Sequence, residues 1–200
     1  MTGVLLHARS RALPGVLAAL AGTVVLAWWA MDRLGVSPDP SRRVPVVVLA
    51  PLLAAAVIGG SLHSPSEELD RTAVRRWWPW RLAQLLAPTA VAAALLSLAV
   101  LGDPTGFGPA AMVRNTLGWA GVTAVAAVTL GARLSWLPAF AYGCAVCAAS
   151  DGVRGRAVTV WAWPAQPGHA TGAWLVAGAV FALGTALYTA HGARPEEPRR

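Results

Sequence analysis

The chain has 200 residues, 56% of them apolar and 12% charged, with a mean hydropathy of +0.54 and a net charge of +7. A soluble domain of this size carries about twice that charge fraction, and the basic residues stand between apolar runs instead of forming a patch, so neither a soluble globule nor a nucleic-acid partner fits. All sixteen basic residues are Arg, which excludes a P-loop lysine, a Schiff-base lysine or a lysine general base in this chain.

The apolar runs are each roughly 20 residues long, the length a helix needs to cross a hydrocarbon core of about 30 Å. They do not alternate with period two, which argues against a transmembrane β-barrel. The expected fold class is all-α: a polytopic transmembrane helix bundle of about six spans. Those spans fall at about 13–31, 44–62, 82–102, 111–131, 134–150 and 172–191, and make residues 1–200 one transmembrane domain with no soluble domain.

The first run follows Arg9 and Arg11 in the manner of a signal peptide, but it is too long for a usual apolar core and no small-x-small cleavage site follows. It reads as a retained first span. Pro51 lies near the middle of the second span, Pro88 early in the third and Pro138 in the first turns of the fifth. Each proline is tolerated if neighbours satisfy the carbonyl that it frees, and a kink is expected.

Between spans two and three lies a short amphipathic segment, 64–79. Ser64 and Glu67 make a capping box with Pro65 at the first helical position. Glu67, Glu68 and Asp70 sit near the start, and Arg75 and Arg76 near the end, as the helix dipole prefers. Leu69, Ala73 and Trp77 share one face, and Pro79 ends the helix. Two readings stand: an interfacial helix with Trp in the headgroups, or a docking helix for a cytoplasmic partner, since acids are repelled by an anionic leaflet.

Small residues recur at four-residue spacing. Gly178, Ala182 and Ala186 on the last span, and Thr123, Ala127 and Gly131 on the fourth, suit close helix–helix contact. The Trp residues at positions 28, 29, 77, 78, 80, 136, 161, 163 and 174 cluster near run ends as an aromatic belt. Arg114, near the outer end of span four, is the one charged side chain within a span. It either snorkels or lines a pathway.

Six spans put both termini on one side. The set Arg9, Arg11, Arg71, Arg75, Arg76, Arg81, Arg133, Arg194, Arg199 and Arg200 then faces Arg33, Arg42, Arg43, Arg114, Arg154 and Arg156, ten against six. The excess places both termini in the cytoplasm. Cys144 and Cys147 share a helical face but lack the further ligands a zinc site needs, so they read as small residues in a helix contact. His63 and Glu67 are four apart, but a loop separates His63 from the helix that carries Glu67, and no metal is expected.

The segment 151–156, Asp-Gly-Val-Arg-Gly-Arg, resembles in part the core of membrane CDP-alcohol phosphotransferases. Position 148 is Ala where that motif needs its first Asp, and no paired Asp follow. The layout as a whole is similar to the membrane subunit of a bacterial ABC-type transporter, of the small ABC-2-like kind found in high-GC bacteria. The similarity rests on Glu67, Glu68, Asp70 and Arg71 ahead of Trp77-Trp-Pro-Trp-Arg-Leu82, on Arg114-Asn-Thr-Leu-Gly118, on Trp136-Leu-Pro138 and on Trp161-Ala-Trp-Pro164.

That resemblance implies a permease subunit in the bacterial cytoplasmic membrane, supplying half of a translocation pathway beside a second permease copy or a paralogous membrane subunit. The segment holding Glu67, Glu68, Asp70, Arg71, Arg75 and Arg76 would be a coupling helix docked on a separate cytoplasmic ATPase. ATP and Mg would sit on that partner, with no cofactor and no catalytic residue in this chain. The alternative is a non-transporting membrane accessory, assembly or immunity protein that binds a cytoplasmic partner. A membrane enzyme would need Asp39, Asp103, Asp151 and His169 to converge.

Overall fold

A computed structural model describes residues 13–35, 44–62, 78–100, 106–149 and 156–195. Among the described residues the chain is all-helical, with seven α-helices. They are α1 (Leu13–Gly35), α2 (Val44–Ser61), α3 (Trp78–Leu98), α4 (Pro109–Leu130), α5 (Trp136–Ala149), α6 (Arg156–Trp161) and α7 (Thr171–His191). Short 3-10 turns at Ala132–Leu134 and Trp163–Ala165 flank α5 and α6.

The helix bounds lie within a few residues of the apolar runs. The third differs most: it begins at Trp78, four residues before the expected start, because Pro79 falls in its first turn, where no backbone donor is needed. Four helices, α1, α2, α3 and α7, are long and apolar enough to cross a membrane. α5 is only 14 residues long. α4 has 22 residues but carries Arg114 and Asn115 within an alanine- and glycine-rich sequence.

The reason is position. α4 is the central helix, with thirteen buried residues, and packs against α2, α3, α5 and most extensively α7. A helix wrapped by other helices needs no lipid-compatible surface. The outer helices show the opposite pattern, exposing Leu17, Val25, Leu26, Leu175 and Leu183. Inside, one apolar cluster joins α1, α2, α3 and α4 around Val47, Ile58, Leu85, Leu96 and Met112. A second surrounds Trp119 and Trp163 and includes Val48, Leu52, Ala139 and Ala177.

α4 and α7 touch backbone to backbone where Gly121 faces Gly184. A Cβ on Gly121 would lie 2.6 Å from Phe181 Cα and from the Val180 oxygen. The small residues of α7 that face the bundle are thus Ala173, Ala177 and Gly184. Thr123, Ala127 and Gly131 of α4 are buried.

The bundle has two distinct ends. At one, the C-terminal carbonyls of α4 are covered by Arg194, whose backbone N–H donates to Ala127 O at 2.8 Å and whose Nη1 donates to Thr129 O at 3.0 Å. Gly131 and Gly192 end α4 and α7 at φ values of 94° and 77°, conformations that suit glycine. Gln84 at the start of α3 donates to Ser61 O at the end of α2, 2.8 Å away. The opposite end holds the beginnings of α2, α4 and α7 and the segment 163–170, called the strap below.

Candidate functional site

The polar centre of the bundle lies under the strap. Pro51 removes the N–H that would bond the Val47 carbonyl one turn earlier in α2. That carbonyl accepts a hydrogen bond from Asn115 Nδ2 at 2.9 Å instead. The same amide donates to Pro164 O at 2.7 Å. The neighbouring carbonyl, Val48 O, accepts from Trp119 Nε1 at 3.1 Å. Asn115 thus serves the carbonyl that Pro51 frees, and Trp119, one helical turn further along α4, adds a donor to the next carbonyl of α2.

Arg114 completes the centre. It is fully buried, with Nη1 on Pro167 O and Nη2 on Gln166 O, each at 2.7 Å, and Nε on Asn115 Oδ1 at 3.0 Å. All three partners are neutral oxygens. A guanidinium is more weakly hydrated than an ammonium and its planar fork matches two adjacent carbonyls, which lets it enter the interior without a counter-charge. The expected snorkelling to a surface does not occur, because the strap folds back over the start of α4 and brings the carbonyls to it.

Aromatic side chains wall the site. Trp119 packs against Trp163 at 5.3 Å and against Tyr142 edge-on at 5.6 Å between ring centroids. Tyr142 donates from its hydroxyl to Trp161 O. Gly118 gives the Trp163 indole room to lie on α4, since a Cβ there would collide with the ring. Trp174 Nε1 donates to Gly168 O at 2.8 Å, and Gly168 N–H donates to Gly106 O at 2.6 Å. Trp163 is thus an interior residue, a correction to its place in the aromatic belt. Trp28, Trp29, Trp78, Trp80 and Trp136 are exposed.

The other sequence-derived positions scatter. Glu67, Glu68, Asp70, Arg71, Arg75 and Arg76 lie outside the described residues, as do Asp39, Asp103 and Asp151. Gly178, Ala182 and Ala186 lie on the exposed side of α7, and Gly178 has no atom near its missing Cβ. The close contact within the chain runs through Ala173, Ala177 and Gly184 instead. In an Ala- and Gly-rich helix more than one stripe has the right spacing, and the face is chosen by where Gly121 lets the backbones meet. Cys144 is exposed and does not fill a helix contact, whereas Cys147 is half-buried beside the Trp119 cluster.

Sequence reasoning did not single out Asn115, Trp119 or Tyr142. One signal existed for Asn115: a mid-helix proline creates a carbonyl that needs an outside donor, and Asn115 is the only Asn in the chain. Chemically the centre is a hydrogen-bonding clamp. Its donors end on backbone and amide oxygens, and it holds no nucleophile activated by a base. No family model, curated protein or solved structure matches this chain.

Proposed function

We propose that the chain is a multi-pass subunit of the bacterial cytoplasmic membrane that serves as the permease half of an ATP-driven, ABC-type transporter. It crosses six times with both termini cytoplasmic, pairs with a second permease copy or a paralogous membrane subunit, and docks a separate ATPase through residues 65–77. The observation that carries this reading is the contrast between a filled interior and a groove on the outside. Met112, Arg114 and Trp119 fill the bundle from the strap end inward and are fully buried, so the pathway is assigned to the space between subunits.

The outer groove between α3 and α7 suits such a partner. Trp78, Leu82, Ala182, Thr185, Ala186 and Thr189 line it, and small residues let a neighbouring helix approach closely. Gly178, Ala182 and Ala186 are then subunit contacts. The charge pattern agrees: Arg81, Arg133 and Arg194 sit at the end of the bundle assigned to the cytoplasm. With Arg114 buried, the loop count becomes ten against five. α5, 14 residues long, rises only about 21 Å, which leaves the strap below the outer surface as a re-entrant segment.

The test is the double variant Glu67→Arg, Glu68→Arg, purified from membranes with its partners. Loss of a co-eluting ATPase while the chain still inserts supports docking, because paired charges set orientation and on-rate. Unchanged co-elution and unchanged substrate-linked ATP turnover overturn it, as added Arg would only strengthen binding to anionic lipid. A second reading, a non-transporting accessory or assembly protein, is favoured by the burial of Arg114 and the bonding of all three of its nitrogens within the chain. It predicts a stable partner complex without ATP-dependent transport in proteoliposomes.

A further inference from the structure

We infer that Asn115 couples the outer turns of α2 to the strap, so that the two leave α4 together, with Pro51 as the hinge. Pro51 removes one rung of the backbone ladder of α2, the bond to Val47 O, so the helix that runs from Val44 to Ser61 is weakest there. Beyond the apolar packing of Val47, Val48 and Ala50, two side chains of α4 bond the outer turns: Asn115 Nδ2 on Val47 O and Trp119 Nε1 on Val48 O.

The strap is tied to the same two residues and to their neighbour. A side-chain amide has two N–H donors. In Asn115 one goes to α2 and the other, at 2.7 Å, to Pro164 of the strap. Its remaining oxygen accepts from Arg114 Nε at 3.0 Å. Arg114 in turn grips Gln166 and Pro167. The Trp163 ring of the strap lies against the Trp119 indole that serves Val48.

Each element therefore holds the side chain that holds the other. If the strap lifts, Asn115 loses Pro164 and Arg114 loses both carbonyls, so the amide is no longer fixed toward Val47. If the outer turns of α2 swing away, the amide loses one of its three hydrogen bonds and the grip on Pro164 loosens. Bonds in one buried network polarise and orient one another, and here the network spans a hinge. The device makes one lid of two segments that are more than a hundred residues apart in sequence.

The consequence is readable by amide hydrogen exchange on the full chain in lipid nanodiscs. Two peptides report: Val48–Ala50, before the hinge, and Gln166–Gly168, whose N–H groups bond Trp163 O and Gly106 O. Asn115→Asp keeps the acceptor for Arg114 but deletes both amide donors. Both peptides should then exchange about tenfold faster, as expected for one lost buried hydrogen bond. Adding Pro51→Ala gives Val47 O a backbone donor again. In that double variant the α2 peptide should return to within about twofold of the parent, while the strap stays fast.

The second variant, Arg114→Lys, guards against a failure of Asn115→Asp to assemble. Arg114 bonds the strap and Asn115 but makes no hydrogen bond to α2. Lys cannot serve the two carbonyls and Asn115 from one planar fork. Coupling predicts that Arg114→Lys speeds the α2 peptide as well as the strap. Acceleration of the strap alone, or equal speeding of both peptides that Pro51→Ala fails to divide, overturns the proposal.

Discussion

The crossing of α4 and α7 gives a within-protein control for how this bundle holds together. Gly121→Ala would place a methyl group 2.6 Å from Phe181 Cα and Val180 O and 2.7 Å from Phe181 N. All three are backbone atoms, so no side-chain rotation relieves the clash. Reaching an ordinary separation requires the helices to part by about 1 Å, which forfeits a quarter to a half of the dispersion energy of each contact on that seam. Overpacking of this kind costs about 1–3 kcal/mol. For a chain of this size each kcal/mol lowers Tm by roughly 2–4 °C, so a fall of roughly 2–12 °C is expected. Gly178→Ala makes the same chemical change on the same pair of helices where nothing lies within 4 Å. There the gain in helix propensity, up to about 1 kcal/mol, should leave Tm unchanged or slightly raised. Unfolding of both variants in detergent, followed by tryptophan fluorescence, decides the matter. Equal Tm values would refute the backbone contact at Gly121.

Three further outcomes follow from the same geometry. Trp119→Phe keeps the ring packing but leaves Val48 O without its side-chain donor, and should destabilise by about 1–2 kcal/mol in the same unfolding assay. Gly118→Ala should expel the Trp163 indole from its seat on α4, seen as a red shift in emission against a Trp163→Phe control. Ala182→Leu alters an exposed position, so the stability of the isolated chain should hold while crosslinking between subunits in native membranes falls. Retention of full crosslinking would remove Gly178, Ala182 and Ala186 from the subunit contact.

The long apolar helices were legible because their signal is local. A run of about 20 apolar residues between Arg-bearing loops identifies a helix wherever it packs, and α2, α3 and α7 start and stop within a few residues of the runs. The choice of face was not legible. Ala182 and Ala177 lie on the same helix with the same side chain, and only the meeting of Gly121 with Gly184 decides which of them is buried. The 3-10 turn at Trp163–Ala165 likewise lacks a sequence marker stronger than its Pro164.

The polar centre was legible by halves. Pro51 announces a carbonyl in need of a donor, and the identity of that donor depends on which helix lies opposite. Arg114 raises the harder question of why a cation sits within a turn and a half of the positive end of α4, where the helix dipole opposes it. The structure answers with dipoles of the other sign: two strap carbonyls at 2.7 Å and the Asn115 oxygen at 3.0 Å. Those carbonyls are there because Trp163, Pro164 and Pro167 turn the chain back over α4 in place of a direct run from α6 to α7. The residue that makes α4 more polar than the four long apolar helices is thus the one that holds the strap over it. Sequence hydropathy charges Arg114 as if it met lipid, whereas the fold surrounds it with backbone.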